Sequence, residues 1–298
     1  MNTNAILGLP ASVKSRFTVV NDLNMHILEA LPPGADPSSK PPLLILLHGF
    51  PELAYSWRKV IEPLAKAGYA VVAPDQRGYG QTRQQTCKEG KIEYAEDLAP
   101  FRMLNLATDI LALVYALGYT SVEAVVGHDF GSPVAAHCAL IRPDVFKSVV
   151  LMSAPYTGPP GLSSAFDDPN AKSLAQQANE WLARLDPPRK HYTMYFSTPE
   201  ADKEMSDPPE GLHVFLRTYY HVKSADWAPN QSVRPLAALS PQALSVLPHY
   251  YIMPSPKHAE CIASYAVTAS QMAKNTWLPG AELAFYVDQF AQTGFMEA

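Results

Sequence analysis

An aspartate with a glycine two positions away on either side is the residue of this chain with the clearest capacity for chemistry. Asp129 lies at the centre of the sequence GHDFG, residues 127–131. An apolar, branched run at 122–126 predicts a buried strand before it, and residues 132–142 predict a helix after it. A strand, a strained turn with small flanking residues and a helix together form a nucleophile elbow. A carboxylate at its apex forms an ester by displacement at carbon, so an epoxide or an alkyl halide is the expected electrophile.

A second motif, HGFPE at residues 48–52, follows a continuous apolar run at 43–47. A loop in this position can direct the backbone N–H of Phe50 at the place where negative charge develops during hydrolysis of the ester. The second N–H of such an oxyanion hole is expected from Phe130, the residue after the aspartate. We interpret His48 and His128 as residues that make structural hydrogen bonds beneath these loops.

A third motif, DQRGYG at residues 75–80, follows an apolar run at 69–73 and predicts a glycine-rich turn. Its acidic and basic side chains are expected to brace loops rather than to contact a substrate. The carboxylates of Asp97 and Asp109 are expected on solvated helix faces or at helix caps.

Apolar strands alternate with helices over the first half of the chain. The strands are expected at 17–20, 25–30, 43–47, 69–73, 122–126 and 148–152, and the helices at 56–67, 105–117 and 132–142. This order predicts an α/β core, a mostly parallel sheet with helices on both faces. After residue 154, prolines divide the sequence into short helical segments at 172–185, 211–220 and 281–291, with no strand pattern. The predicted domains are the core at 1–154 and a helical layer at 155–298.

Composition argues against several classes of partner. The net charge of −5 gives no reason to expect binding to nucleic acid or to an anionic membrane. No apolar run approaches the roughly 20 residues that span a bilayer. The three cysteines, Cys87, Cys138 and Cys261, lack metal-ligand spacing and are expected as reduced thiols. With no recognisable signal peptide, the sequence predicts a cytoplasmic protein without a metal or a cofactor.

Taken together, the motifs resemble those of the soluble epoxide hydrolases, which are cap-bearing members of the α/β-hydrolase superfamily. The likeness is carried by HGFPE with Trp57 and Arg58, by DQRGYG and by GHDFG, in that family's order. In the helical layer, residues 191–200 are similar to the family's first cap helix and residues 283–295 to its last. The resemblance covers nearly the whole chain and implies an α/β-hydrolase core with a helical cap.

The resemblance also implies roles for individual residues. Asp129 is implied as the nucleophile, and the amides of Phe50 and Phe130 as the oxyanion hole. Tyr192 matches the first of two cap tyrosines that hold and protonate the epoxide oxygen. A phenol suits that role because its pKa of about 10 keeps it protonated at neutral pH.

Four further residues are implied in support of this site, and a cis peptide bond is implied before one of them, Pro51. The supporting residues are His48, Gly49, Pro51 and His128. The implied substrate is a small hydrophobic epoxide, and no metal or cofactor is implied.

The family's pattern continues beyond the last residues of this sequence. After the segment that corresponds to Phe295, that family has a second tyrosine, and two further strands supply an acid and the histidine that activates water. Here the sequence ends three residues later, at Ala298, so a core without its last strands is expected. Asp129 would then form the ester, while hydrolysis to a diol would lack its base. An exposed sheet edge would follow, and a homodimer is one way to cover it.

Two alternatives stay open at this point. A haloalkane or haloacid dehalogenase also uses an elbow aspartate. That family commonly has a tryptophan after the nucleophile to cradle the halide, whereas Phe130 offers no side-chain donor. The alternative outside the enzymes is a catalytically impaired remnant of the same fold that binds a ligand in the pocket.

Overall fold

A computed structural model describes residues 6–85, 96–154, 156, 158, 172, 174–232, 235–238, 240–254 and 257–295. Cys87 and the last three residues therefore lie outside the described residues. The chain forms two compact units, Met1–Gly158 and Pro159–Met296. None of the helices in the described ranges combines the length and the apolar character that a bilayer crossing requires.

Among the described residues, seven strands form the sheet of the first unit: β1 Lys14–Val20, β2 Leu23–Ala30, β3 Leu43–Leu47, β4 Ala70–Pro74, β5 Arg83–Gln84, β6 Ala124–His128 and β7 Val149–Met152. Their spatial order is β1-β2-β4-β3-β6-β7, and β5 pairs with β2. Strand β2 is antiparallel to its three neighbours, β1, β4 and β5. The neighbours β4, β3, β6 and β7 run parallel. The predicted mostly parallel sheet is confirmed.

In the described part of the first unit, three α-helices cover the two faces of this sheet: α1 Arg58–Lys66, α2 Met103–Ala116 and α3 Gly131–Ile141. Successive side chains of a strand point to opposite faces, and β3 shows this directly. Its odd-numbered residues pack in one core cluster with Leu113 of α2 and Val134 of α3. Its even-numbered residues pack in a second cluster with Ile61 of α1. All five residues of β3 are buried, which explains their continuous apolar sequence.

Strand β7 lies at the end of the sheet, and its side chains are exposed. The four apolar residues Val149–Met152 are each between 36% and 46% exposed. Leu140 and Ile141 at the end of α3 are exposed as well. An apolar edge strand of this kind is an open template for pairing with another strand.

The described residues of the second unit are mostly helical, and their α-helices are α4 Leu174–Leu182, α5 Tyr192–Phe196, α6 Pro199–Ser206, α7 Leu212–Lys223, α8 Pro241–Leu244, α9 His258–Ala263, α10 Ala269–Lys274 and α11 Gly280–Thr293. The prediction of no strand after residue 154 was wrong. Strands β8 Lys190–His191 and β9 Ile252–Met253 form an antiparallel pair. Two residues are too few to show the alternation by which a strand is recognised in a sequence.

Helix α7 is buried over two thirds of its length, because every residue from Phe215 to Val222 is buried. The ring of Phe215 packs against those of Tyr219, His258 and Phe295 at centroid distances of 5.7, 6.1 and 6.1 Å. The backbone N–H of Phe295 donates to Oδ1 of Asp202 in α6 at 2.7 Å. Phe295 is therefore fixed to the core of this unit.

Candidate active site

The aspartate of the GHDFG motif lies in a sharp turn between β6 and α3. Strand β6 ends at His128, α3 begins at Gly131, and Asp129 has a φ of 51°. A positive φ is uncommon outside glycine, but Asp and Asn adopt it more readily than most residues. The turn therefore places the Asp129 side chain at its apex. The backbone of Asp129 adopts an energetically costly conformation to do so.

The glycines around Asp129 are required by the close approach of backbone and side chain. A Cβ on Gly127 would lie 2.1 Å from the carbonyl oxygen of Gly131, and a Cβ on Gly131 would lie 2.4 Å from that of Leu47. A Cβ on Gly49 would lie 2.4 Å from the Cβ of Asp129. These separations are far below van der Waals contact, so only glycine allows the strand, helix and loop to meet here.

One oxygen of the Asp129 carboxylate is held by two backbone amides. Oδ1 accepts a hydrogen bond from the N–H of Phe50 at 3.0 Å and from the N–H of Phe130 at 2.8 Å. Both hydrogen bonds are to the same oxygen, and neither uses Oδ2. The carboxylate is thus divided into an anchored oxygen and an oxygen that can attack an electrophile. The peptide bond between Phe50 and Pro51 is cis, as the resemblance implied.

His48 makes structural hydrogen bonds beneath the loop that follows β3. Its ring is fully buried, and Nε2 accepts from the backbone N–H of Gln76 at 3.1 Å. The proton must therefore be on Nδ1, which donates to the carbonyl oxygen of Gly49 at 3.0 Å. Burial lowers the pKa of His48, although nearby carboxylates oppose this shift. A neutral imidazole with this tautomer fixes the Gly49–Phe50 peptide group, whose N–H donates to Asp129.

His128 pairs with Glu52 beside the elbow. Nδ1 of His128 lies 2.8 Å from Oε2 of Glu52, and both side chains are about 30% exposed. The pair joins the residue before Asp129 to the last residue of the HGFPE motif. It therefore ties together the two loops whose amides hold the carboxylate.

The DQRGYG turn braces loops through a buried ion pair. Nε of Arg77 donates to Oδ2 of Asp109 at 2.8 Å, and Nη2 donates to Oδ1 of Asp22 at 2.6 Å. Asp109 is 3% exposed, so its expected position on a solvated helix face was wrong. The Asp109 carboxylate can be buried because it pairs with Arg77. Arg77 comes from a loop that is distant in the sequence, so the residues around Asp109 do not reveal this partner. Asp97 lies two residues before a short 3-10 helix, Ala99–Phe101, and its Oδ1 accepts from the backbone N–H of Ala99 at 2.9 Å.

Tyr192 is the first residue of α5 in the second unit, and its side chain is half-buried. Its backbone N–H donates to the carbonyl oxygen of Tyr251 at 2.9 Å. Its ring lies among other aromatic rings, with centroid distances of 5.0 Å to His191, 5.2 Å to Phe196 and 5.3 Å to Tyr251. The ring is therefore held in one orientation by its neighbours on three sides.

Sequence reasoning missed two relationships at these sites. The His128–Glu52 pair has a detectable signal, because both residues belong to motifs that follow adjacent parallel strands. Tyr251 beside Tyr192 has none, because the two residues are brought together only by the short pairing of β8 with β9.

Comparisons with known proteins agree with this geometry. A family model described as alpha/beta hydrolase fold matches residues 42–197. Epoxide hydrolase A of Mycobacterium tuberculosis is 29% identical over 97% of this chain and 72% of its own length. An AB hydrolase superfamily protein of Bacillus subtilis is 36% identical over 48% of this chain and 44% of its own length.

The solved structure of an epoxide hydrolase from an endophytic Streptomyces has a TM-score of 0.68 at 29% identity. That match covers 97% of this chain and 71% of the Streptomyces chain. The chain thus spans less than half of the Bacillus subtilis relative and about seven tenths of the two epoxide hydrolases. With the elbow, the parallel sheet and the matched family model in agreement, this chain belongs to the alpha/beta hydrolase fold family and resembles epoxide hydrolases over nearly its whole length.

Proposed function

We propose that this chain opens small hydrophobic epoxides and that Asp129 is the nucleophile. The observation that carries the proposal is the pair of hydrogen bonds from Phe50 and Phe130 to a single carboxylate oxygen, Oδ1. Oδ2 then attacks an epoxide carbon, the ring C–O bond breaks, and an ester joins the substrate to Asp129. Oδ1 becomes the carbonyl oxygen of that ester and is already in contact with two N–H donors.

Tyr192 is the proposed proton donor for the opened ring. When the C–O bond breaks, the epoxide oxygen becomes an alkoxide, which takes the phenolic proton. A phenol with an ordinary pKa of about 10 is protonated at neutral pH and is a far stronger acid than the alcohol that forms. The similarity of residues 191–200 to the first cap helix of epoxide hydrolases supports this role.

The second half-reaction needs a water molecule that a base activates next to the ester. The described part of the first unit has four histidines, and each makes hydrogen bonds to groups other than Asp129: His26, His48, His128 and His137. None of these bonds involves Asp129. Because one positioned base contributes about 10²–10⁴-fold, we propose that this chain accumulates the ester and does not turn it over to a diol.

We also propose a cytoplasmic location and a homodimer formed through the β7 edge. The exposed apolar residues Val149–Met152 support the dimer. Cys138 and Cys261 are buried thiols, which is compatible with a reducing compartment. Light scattering coupled to size exclusion tests the dimer: twice the mass of the chain is expected, and a monomer at every concentration contradicts it. Fractionation of cells tests the location.

The reaction class is tested by offering two electrophiles to the same protein. We expect styrene oxide to add one equivalent of its mass to the chain, with little diol released. A 1-chloroalkane is expected to release no chloride, because Phe130 supplies no side-chain donor for a halide. Chloride release with no epoxide adduct would favour the dehalogenase reaction and contradict the proposal. Binding of both compounds without any covalent product would favour the ligand-binding alternative.

A further inference from the structure

A hydroxyl, an imidazole and a carboxylate that take no part in the contacts of Asp129 meet between the first two strands and the turn after β4. Oγ of Ser15 in β1 lies 2.8 Å from Nε2 of His26 in β2. Nδ1 of the same imidazole lies 2.8 Å from Oδ2 of Asp75. His26 and Asp75 are 1% and 2% exposed, whereas Ser15 is half-buried. A hydroxyl, an imidazole and a buried carboxylate thus form one continuous chain of hydrogen bonds.

The partners of Asp75 determine where the protons of this chain lie. Oδ1 accepts from the backbone N–H of Ala54 at 2.8 Å, and Oδ2 accepts from that of Gln81 at 3.0 Å. Burial favours a raised pKa for Asp75, but His26, His48 and the amide of Gln81 overcome it and hold the pKa below its usual value. An ionised carboxylate can only accept, so Nδ1 of His26 carries a proton and donates. In the neutral imidazole, Nε2 then has a lone pair that can accept from the hydroxyl of Ser15.

This arrangement is the one by which serine hydroxyls become nucleophiles in proteins of unrelated fold. There, the imidazole takes the hydroxyl proton and the buried carboxylate fixes the imidazole in the required tautomer. The constellation is recognised by geometry and by the role of each group rather than by sequence order. We propose that Ser15 is a second nucleophile of this chain, which is acylated or phosphonylated by small activated esters.

The surroundings of Ser15 indicate which esters would react. Side chains alternate along β1, so Phe17 and Val19 lie on the same face as Ser15. They are 46% and 63% exposed, and the Phe17 ring lies 5.3 Å from the imidazole of His26. An apolar surface therefore adjoins the hydroxyl on an edge strand of the sheet. We expect electrophiles with a short apolar chain to be preferred over charged ones.

The covalent step balances without any further reactant. With an alkyl fluorophosphonate, Oγ of Ser15 forms a bond to phosphorus and the phosphorus–fluorine bond breaks. The hydroxyl proton moves to Nε2 of His26, and fluoride leaves. With a p-nitrophenyl ester, the same oxygen forms an acyl bond and p-nitrophenolate leaves.

Labelling with an alkyl fluorophosphonate, followed by intact mass and peptide mapping, tests this proposal. We expect one adduct on Ser15, absent after Ser15→Ala and after unfolding in urea. Ser12 is a matched control, since its exposed hydroxyl donates to Glu62 and not to a histidine; Ser12→Ala keeps the adduct. Asp129→Asn also keeps it, because the two sites share no residue. No adduct on the folded protein, or equal labelling after Ser15→Ala, overturns the proposal.

A second variant separates a nucleophile from a serine that only stabilises the fold. In His26→Asn, the side-chain amide can still donate to Asp75, but the acceptor for the Ser15 hydroxyl is gone. We expect the labelling rate to fall about 10²–10⁴-fold, the contribution of one positioned base, in a protein that keeps its circular dichroism. Labelling of folded His26→Asn at the original rate overturns the proposal. If this variant does not fold, the comparison of Ser15→Ala with Ser12→Ala decides.

Discussion

The backbone N–H of Phe50 donates a 3.0 Å hydrogen bond to Oδ1 of Asp129, although 79 residues separate them in sequence. The register of two neighbouring parallel strands explains this contact. Leu47 at the end of β3 lies opposite Gly127 in β6. The loops that leave the carboxyl ends of both strands therefore start side by side, and one loop supplies the amide while the other supplies the carboxylate.

The first prediction concerns the proposed proton donor. Replacement of Tyr192 by Phe removes the phenolic proton and keeps the ring among its aromatic neighbours. We expect the rate of ester formation with styrene oxide to fall about 10²–10⁴-fold, because the leaving oxygen then departs without a general acid. Tyr195→Phe is the matched control, since its hydroxyl already donates to Glu204 at 3.2 Å. Single-turnover mass spectrometry measures both rates, and equal rates for the two variants contradict the role.

The second prediction concerns the packing of the elbow. In Gly131→Ala, the new Cβ would lie 2.4 Å from the carbonyl oxygen of Leu47, and neither backbone can move without displacing the turn. We expect the free energy of unfolding to fall by about 1–3 kcal/mol. Gly280→Ala is the control, because its Cβ would meet nothing within 4 Å. Urea unfolding of both variants checks this, and an unchanged midpoint for Gly131→Ala contradicts it.

These contacts show which parts of the molecule a sequence can reveal. The core strands are predictable because a buried strand requires a continuous apolar run. The elbow is predictable because its tight turn requires the small residues of the GHDFG and HGFPE motifs. The burial of Asp109 is not predictable in this way, since it depends on Arg77 from another loop. The pairing of β8 with β9 is missed because each strand has two residues and its partner lies far along the chain. The tautomer of His48 follows only from the position of the Gln76 amide.

The third prediction concerns the buried ion pair of the DQRGYG turn. In Arg77→Leu, the carboxylate of Asp109 remains buried without its partner, and we expect a loss of about 3–5 kcal/mol in the free energy of unfolding. The double variant Arg77→Leu with Asp109→Leu is expected to recover much of this loss, because no buried charge remains without a partner and the Asp22 side chain is 57% exposed.

The control for this ion pair is Arg142→Ala. Its pair with Asp144 is at the surface, and we expect no measurable change in stability. Denaturant titrations of the three variants check the prediction. A double variant less stable than Arg77→Leu alone contradicts this account of the loss.

The fourth prediction concerns the pH dependence of the second unit. Burial lowers the pKa of His258 from 6.5 to about 3. Between these values the unfolded chain binds a proton that the folded chain does not, so stability falls as the pH decreases below about 6.5. The slope contributed by one such group is at most about 1.4 kcal/mol per pH unit. Burial also lowers the pKa of His191, His221 and His249, in the same direction.

Urea unfolding between pH 7.5 and pH 5 measures this slope. Three of the four tryptophans, Trp181, Trp227 and Trp277, lie in the second unit, so their fluorescence reports its unfolding. In His258→Phe, the new ring lies among the rings of Phe196 and Phe215. We expect the free energy of unfolding of this variant to depend less on pH. Replacement of the exposed His213 by Gln is expected to leave the slope unchanged. Identical slopes for the wild type and for His258→Phe contradict the assignment to His258.

The most direct test of the proposed function compares the wild type with Asp129→Asn after incubation with styrene oxide. Asparagine tolerates the positive φ at this position and keeps an Oδ1 that can accept from Phe50 and Phe130, so the fold is expected to survive. Peptide mapping of the wild type is expected to place one epoxide equivalent on Asp129, and intact mass is expected to show no adduct on the variant. Sustained diol production without an adduct, or an adduct of equal yield on Asp129→Asn, would contradict the proposed function.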